Sequence, residues 1–208
     1  MRVLHVSTSP RGERSASIAV ADAFLDALGA QHDDVEVDLL DVWDAGMPEL
    51  DRRVIEAKYK FVAGEALDEA EQRAWDWIER TAQRFAAADR IVIGLPMWNW
   101  AYPYKFKQLV DLVSQRGLLF TFDGERFGPA IDVERALVIA VRGQAYDEPG
   151  TPLPAATWNH QTDFPVFFLQ TIGVRDVRVL TVEHTWDDQR EASIAAAKRR
   201  AAALAGDF

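Results

Sequence analysis

Four short apolar runs, separated by longer segments of helical pattern, are the feature that most constrains how this 208-residue chain folds. They lie at residues 3–6, 90–95, 135–141 and 177–182, and their length is typical of strands buried on both faces. Strands that alternate with helices form a parallel sheet with helices packed on both sides. The pattern therefore predicts an α/β fold, which we expect to form one domain over residues 1–208.

A fifth run, residues 35–40, alternates apolar and acidic side chains and predicts a half-exposed strand near an edge of the sheet. Five strands joined by right-handed crossovers favour a flavodoxin-like, doubly wound parallel sheet with the order 2-1-3-4-5. In that order the loops after Val6, Leu95 and Val141 meet at the carboxyl edge of the sheet, where open α/β folds bind ligands. The other elements expected are helices at 15–28, 68–88, 104–114, within 159–173 and at 187–204, a long excursion with one short helix over 41–60, and a small hairpin over 118–131.

Composition excludes several functional classes. The chain carries 33 acidic and 23 basic residues, a net charge of −10, which argues against non-specific binding of nucleic acid. It has no cysteine, so disulfides, thiolate catalysis and cysteine-ligated zinc are excluded, and its four histidines show no metal-ligand spacing. No apolar stretch approaches the roughly 20 residues that span a bilayer, and the N-terminus does not look like a signal peptide. We therefore expect a cytoplasmic protein without a membrane span.

The loop after the first strand, residues 7–17, is rich in hydrogen-bond donors. It carries four serines, one threonine and two arginines, and it leads into a helix that begins near Ser15. A helix N-terminus binds phosphate because its unpaired N–H groups and its dipole converge there. The loop lacks both a GxGxxG and a GxxxxGK[ST] motif, which favours a terminal monophosphate over a dinucleotide or nucleoside triphosphate. The alternative is an ordinary serine cap surrounded by solvated polar residues.

The next two loops offer a platform and polar contacts. Pro96-Met97-Trp98-Asn99-Trp100 supplies two indoles, one side-chain amide and backbone amides that suit a planar ring, although a buried apolar loop has the same composition. Arg142-Gly143-Gln144-Ala145-Tyr146 supplies a cation, a close backbone approach and an aromatic side chain. A plain turn glycine at Gly143 and a surface ion pair at Arg142 remain open. A phosphate site, a planar platform and polar contacts opposite it describe a flavin mononucleotide site.

These residues resemble the FMN-dependent NADH-azoreductase family of flavodoxin-like quinone reductases. The second loop matches the family's P-M-[YW]-N-[FW], and Arg142 to Tyr146 is similar to its R-G-G-x-Y. The serine loop with its S-x-S ending, Tyr104-Lys105-Phe106-Lys107 and His160-Gln161 extend the resemblance over nearly the whole chain. The departures from the family pattern are Val141, Gln144, Gln170-Thr171 and the region Phe164 to Phe168, which lacks the family's Tyr-Leu pair.

The resemblance implies a reaction and a set of site residues. Hydride passes from NADH or NADPH through FMN to a small aromatic acceptor (a quinone, azo compound or nitroaromatic) by a ping-pong mechanism, and the flavin carries the chemistry. The chain is expected to be a homodimer with FMN near the interface. The residues implied are Ser9, Arg11, Ser15, the Ala16 amide and Ser17 for the phosphate; Pro96, Met97, Trp98, Asn99 and Trp100, with backbone N–H groups near N5 and the pyrimidine edge, for the ring; Arg142, Gly143 and Gln144 for its far side; and Phe120 and Tyr146 for the acceptor pocket.

Two other functions stay open on the sequence alone. One is a flavin-binding redox sensor or regulatory subunit with little turnover, which the Gln144 departure and the acidic surface leave possible. The other is a hydrolase that uses Ser9 or Ser15, for which no nearby His-Asp order is present. The sequence carries no 2′-phosphate signature that decides between NADH and NADPH, and it does not identify the physiological acceptor.

Overall fold

A computed structural model describes residues 1–146 and 159–208 of the chain. Its strands are β1 (Arg2–Ser7), β2 (Glu36–Asp41), β3 (Arg90–Pro96), β4 (Phe120–Phe122), β5 (Phe127–Pro129), β6 (Val133–Val141) and β7 (Val174–Val182). Five of them form a parallel sheet in the order β2-β1-β3-β6-β7, and β4 and β5 form a separate antiparallel hairpin. This is the flavodoxin-like order 2-1-3-4-5, so the predicted fold class is confirmed.

Helices cover both faces of the sheet. They are α1 (Ala16–Gly29), α2 (Arg52–Ala63), α3 (Glu69–Ala86), α4 (Tyr104–Val113), α5 (Asp163–Ile172) and α6 (Arg190–Ala205). Successive residues of a strand point to opposite faces, so Val3 packs with α1 and α6 while Leu4 packs with α3, α4 and α5. Among the described residues, no helix is long and apolar enough to cross a membrane.

The excursion between β2 and α3 contains more helix than expected. The single short helix predicted over residues 41–60 is α2, which has 12 residues and runs from Arg52 to Ala63. Asp51 caps its start, and Gly64 ends it with a φ of +71°. The helix is held to α3 by Lys60, whose Nζ lies 2.7 Å from the buried carboxylate of Glu71. The Asp51 cap and Gly64 mark the two ends of this helix, and the prediction over residues 41–60 used neither signal, so its extent was underestimated.

His5 lies in β1 with 4% of its surface exposed, and its Nε2 has no hydrogen-bond partner among residues 1–146 and 159–208. Burial disfavours the charged imidazole and lowers the pKa of His5 from 6.5 to about 4. The unfolded chain therefore binds a proton at this residue below pH 6.5, whereas the folded chain does so only near pH 4. Stability from the neutral His5 is complete above pH 6.5 and is lost as the pH falls to about 4.

We expect His5→Leu to reduce the acid sensitivity of the fold. The wild-type free energy of unfolding should drop by about 3 kcal/mol more than that of the variant between pH 7 and pH 4. Urea unfolding at half-unit pH steps measures both curves, and their difference isolates His5 from the carboxylates that titrate in the same range. Parallel curves for the two proteins would show that the pKa of His5 is the same in the folded and the unfolded chain.

Candidate functional site

Two adjoining cavities lie at the carboxyl edge of the sheet, and Met97, Gly143 and Trp186 line both of them. We call the smaller one, of about 100 Å³, the polar cavity, and the larger one, of about 280 Å³, the aromatic cavity. The polar cavity is lined by Ser9, Arg11, Ser15, Ala16, Ser17, Pro96, Met97, Trp98, Val141, Arg142, Gly143, Thr185, Trp186 and Arg190. The aromatic cavity is lined by Met97, Asn99, Trp100, Gly143, Gln144, Tyr146 and Trp186.

The loop after β1 is fixed before it reaches the polar cavity. The Thr8 hydroxyl donates to the Gly94 carbonyl at 2.7 Å, which ties the loop to β3. The Trp43 indole Nε1 donates to the Thr8 carbonyl at 3.0 Å from the other side. These bonds hold the backbone in place, so Ser9 enters the cavity from a rigid support.

The serines at the start of α1 are buried and hydrogen-bonded. Ser15 is the N-cap of α1, and its Oγ accepts from the Ile18 N–H at 3.5 Å. The hydroxyls of Ser15 and Ser17 lie 3.0 Å apart, and both residues are almost fully buried. Ser15 therefore has the capping role of the alternative interpretation and also lines the polar cavity. Its bonds are those of a helix cap, and they do not describe the Ser–His pair of a hydrolase.

The polar cavity is suited to an anion. Among its described lining residues there are three arginines, Arg11, Arg142 and Arg190, and no carboxylate. The chain as a whole has a net charge of −10, so the charged residues that line this cavity differ in sign from the excess charge of the chain. Serine hydroxyls, the first N–H groups of α1 and arginine side chains are all donors, as a phosphate requires.

The second loop is a tight hairpin. The Trp98 N–H donates to the Ala101 carbonyl at 2.8 Å, and Asn99 and Trp100 turn the chain with φ values of +47° and +69°. The Met97 N–H donates to the Val141 carbonyl at 2.7 Å. The fold thus already uses the N–H groups of Met97 and Trp98, and the expected position of the loop's N–H groups near the ring stays a prediction. In the described part of the chain the N–H groups of Asn99 and Trp100 have no hydrogen-bond partner.

The third loop is organised by an ion pair. Arg142 donates to one Glu183 oxygen from Nε at 2.9 Å and from Nη2 at 2.6 Å, and its guanidinium lies 3.7 Å from the Tyr146 ring centroid. The Tyr146 hydroxyl donates to the Met97 sulfur at 2.9 Å. Burial raises the pKa of Tyr146, so this hydroxyl stays neutral. Arg142 therefore makes the ion pair foreseen as the alternative and also lines the polar cavity.

Comparison with known proteins assigns the chain to a family. A family model described as a flavodoxin-like fold matches residues 1–205. The chain is 52% identical over 208 residues to FMN-dependent NADH:quinone oxidoreductase 2 of Burkholderia lata, and the match covers all of both chains. The chain belongs to the flavodoxin-like FMN-dependent NADH:quinone oxidoreductase and azoreductase family.

Two further relatives are similar over nearly the whole chain. FMN-dependent NADH:quinone oxidoreductase 3 of Pseudomonas fluorescens is 39% identical over 208 residues, covering 98% of this chain and 95% of the relative. The crystal structure of an azoreductase from Bacillus anthracis str. Sterne superposes with a TM-score of 0.88 at 25% identity, covering 100% of both chains. The family predicted from the sequence is thereby confirmed.

The departures from the family pattern lie in different places. Gln144 is exposed and lines the aromatic cavity, so it borders the ring platform. Gln170 and Thr171 lie on α5, and Thr171 lines another cavity altogether. Both residues lie in the last turn of α5, next to Gly173 and the start of β7, at the end of the sheet opposite its carboxyl edge. In the described part of the chain neither of them lines the polar or the aromatic cavity, and their effect on the flavin site stays a prediction.

Phe120 is also separated from the site. It lies in the β4–β5 hairpin and lines a cavity of about 300 Å³, which we call the phenylalanine cavity. Tyr146 lines the aromatic cavity, so one chain does not bring the two proposed acceptor-pocket residues together. The phenylalanine cavity is lined by Lys107, Val110, Asp111, Ser114, Phe120, Phe127, Phe164, Phe167, Phe168, Thr171 and Ile172.

Sequence reasoning missed the loop after β7. Thr185 and Trp186 from this loop and Arg190, the first residue of α6, line the polar cavity. The signal was available, because the order 2-1-3-4-5 places the end of the fifth strand beside the Arg142 loop. The role of Gln161 was also not predicted, since in the sequence this residue is noted only as part of the His160-Gln161 motif. Its buried Nε2 donates to the Leu95 carbonyl at 2.8 Å and to the Val141 carbonyl at 3.2 Å, so it joins the ends of β3 and β6.

Proposed function

We propose that the polar and aromatic cavities together bind FMN, and that the chain uses this cofactor to reduce quinones and azo compounds with NADH. The donor and acceptor classes are those named for its relatives. The observation that carries the assignment is a carboxylate-free, donor-lined cavity that opens directly into an aromatic one in a strongly acidic protein. That combination suits a molecule with a phosphate at one end and a planar ring at the other.

The residues present fit the two ends of FMN. Ser9, Ser15, Ser17 and the Ala16 amide, with Arg11, are assigned to the phosphate because they line the polar cavity and are donors. The ring is assigned to Pro96, Met97, Trp98, Asn99 and Trp100. The N–H groups of Asn99 and Trp100, which bond to no other described residue, are the donors that remain for its polar edge. Gly143 and Gln144 approach from the opposite loop, where Arg142 and Glu183 brace it.

The chemistry supplied by FMN when bound is hydride acceptance from NADH followed by donation to the acceptor. The chain's own residues bind and orient, so no acid–base pair is required of them. The Arg142–Glu183 pair holds the third loop without placing a net charge beside the ring. Tyr146, kept neutral and bonded to Met97, closes one side of the aromatic cavity.

We also propose that the active form is a homodimer. The phenylalanine cavity is flanked by Phe127 and Phe167, which are 71% and 64% exposed, and such a patch is costly in a monomer. Phe120 lines the same cavity, so it would lie near the interface of such a dimer. The acceptor pocket expected to include Phe120 and Tyr146 would then be formed by residues of both subunits. Light scattering should give twice the 23.4 kDa of one chain.

The activity is tested on protein loaded with FMN. We expect the bound flavin absorption to bleach when NADH is added without oxygen and to return when a quinone is added, with parallel double-reciprocal plots in the steady state. A protein that binds FMN tightly but turns over less than once per minute would favour the sensor or regulatory interpretation. If saturating FMN neither binds nor raises the melting temperature, both interpretations fail.

A further inference from the structure

Trp186 is unusual for a tryptophan, because 80% of its surface is exposed. It lies in the loop after β7 and lines both cavities. A large apolar ring held in water loses the burial that stabilises most tryptophans, so its position calls for an explanation other than core packing.

The indole is nevertheless held in place by contact with Gly143. A Cβ atom added to Gly143 would lie 2.5 Å from Cδ2 and 2.8 Å from Cγ of Trp186, so the ring rests on the bare backbone of that glycine. Its loop is braced as well, because His184 adopts a φ of +58° and its Nδ1 lies 2.7 Å from the Asp187 carboxylate. His184 and Asp187 lie on either side of Trp186 in sequence, so their contact closes the loop that carries the indole.

Trp100 matches this arrangement on a different loop. It is 62% exposed, has a φ of +69° and lines the same aromatic cavity. Non-glycine residues with positive φ are uncommon and tend to mark functional loops. Two loops that contain such residues thus present two exposed indoles at one cavity. An acceptor that enters from solvent meets these rings at the rim.

We propose that Trp186 is a specificity-determining residue for the electron acceptor, forming with Trp100 two aromatic walls that favour fused-ring acceptors over single-ring ones. This inference rests on the proposed function, since it concerns the acceptor of the same site. A larger planar acceptor presents more π surface to an indole, and each stacking contact is worth roughly a two- to tenfold change in affinity.

The test compares the binding of two neutral quinones to FMN-loaded, oxidised protein without NADH. Menadione has two fused rings and duroquinone has one, and the absence of cysteine removes thiol adducts as a complication. Perturbation of the flavin absorption spectrum reports each Kd, independently of reduction potential and turnover. In Trp186→Ala we expect menadione to bind about three- to tenfold more weakly, while the Kd for duroquinone changes less than twofold.

Two more variants test whether menadione binding depends on an aromatic ring at residue 186 and on the position of that ring. Trp186→Phe keeps an aromatic ring and should restore most of the menadione affinity. Gly143→Ala keeps the indole but displaces it through the added Cβ, so the preference for menadione should fall as in Trp186→Ala. Because Trp186 is exposed, thermal melts of the Trp186 variants should match the wild type.

The proposal is overturned if Trp186→Ala leaves the ratio of the two quinone affinities within twofold of the wild type. It is also overturned if this variant weakens FMN binding more than tenfold, which would make Trp186 a residue that holds the flavin. Failure of the proposed function looks different, because wild-type protein would then fail to bind FMN or to reduce any quinone with NADH.

Discussion

FMN affinity is expected to fall at least about a hundredfold in the Ser15→Asp variant, since two unit charges about 4 Å apart near a protein surface repel by about 4 kcal/mol before solvent screening. Ser15 lines the polar cavity at the N-terminus of α1, so the new carboxylate would face the phosphate. Aspartate is itself a good N-cap that can accept from the Ile18 N–H. The helix is therefore retained while one negative charge is added to the site.

The matched control is Ser15→Asn, which has the size and capping ability of aspartate but no charge. Fluorescence titration of FMN into each variant gives the two affinities, and circular dichroism melts establish that both fold. If the aspartate and asparagine variants bind FMN within tenfold of each other, the phosphate does not lie beside Ser15 and the assignment of the polar cavity is wrong.

Gly173→Ala is expected to cost about 3 kcal/mol or more of folding stability. Gly173 ends α5 with a φ of +121°, and β7 begins at the next residue, so the connection has no spare length. A Cβ atom here would lie 1.9 Å from the Ile131 carbonyl oxygen, which is backbone and cannot rotate away. Either the helix end or the segment before β6 must move, and both carry buried core residues.

The control for this variant is Gly124→Ala. Gly124 has a similar φ of +111°, but nothing lies within 4 Å of the Cβ position in its exposed turn. Its loss should be about 1–2 kcal/mol, the cost of backbone strain alone. Urea unfolding gives the loss of folding free energy for both variants. The difference between the two losses is the cost of the contact with the Ile131 carbonyl, since both variants carry the backbone strain. Equal losses would mean that the α5–β7 connection relaxes freely.

The sheet order could be predicted because each central strand is a short apolar run between helices. Parallel pairing and right-handed crossovers then leave few ways to connect five strands. The boundaries of β1, β3 and α1 differ from the predicted ones by at most one residue at each end. Residues 41–60 were harder, because only the second part of this segment is helical and α2 continues to Ala63, so the predicted range did not match the element.

The sequence predicted which loops form the candidate site, but it did not predict the individual contacts within and between these loops. All thirteen residues proposed for FMN line the polar or the aromatic cavity. The sequence did not reveal that the Met97 N–H bonds to Val141, that Glu183 pairs with Arg142, or that Trp186 rests on Gly143. Each of these contacts joins the ends of different strands or the loops that follow them, so it depends on register and side-chain direction rather than on spacing along the chain.

The bridge made by Gln161 has a thermodynamic consequence for ligand capture. One side-chain amide reaches from the end of β3 to the end of β6, so the span between the second and third loops is set when the chain folds. The entropy of ordering those loops is then lost at folding and not at cofactor loading. A preorganised cleft of this kind retains more of each contact as affinity, and it releases its occupant slowly.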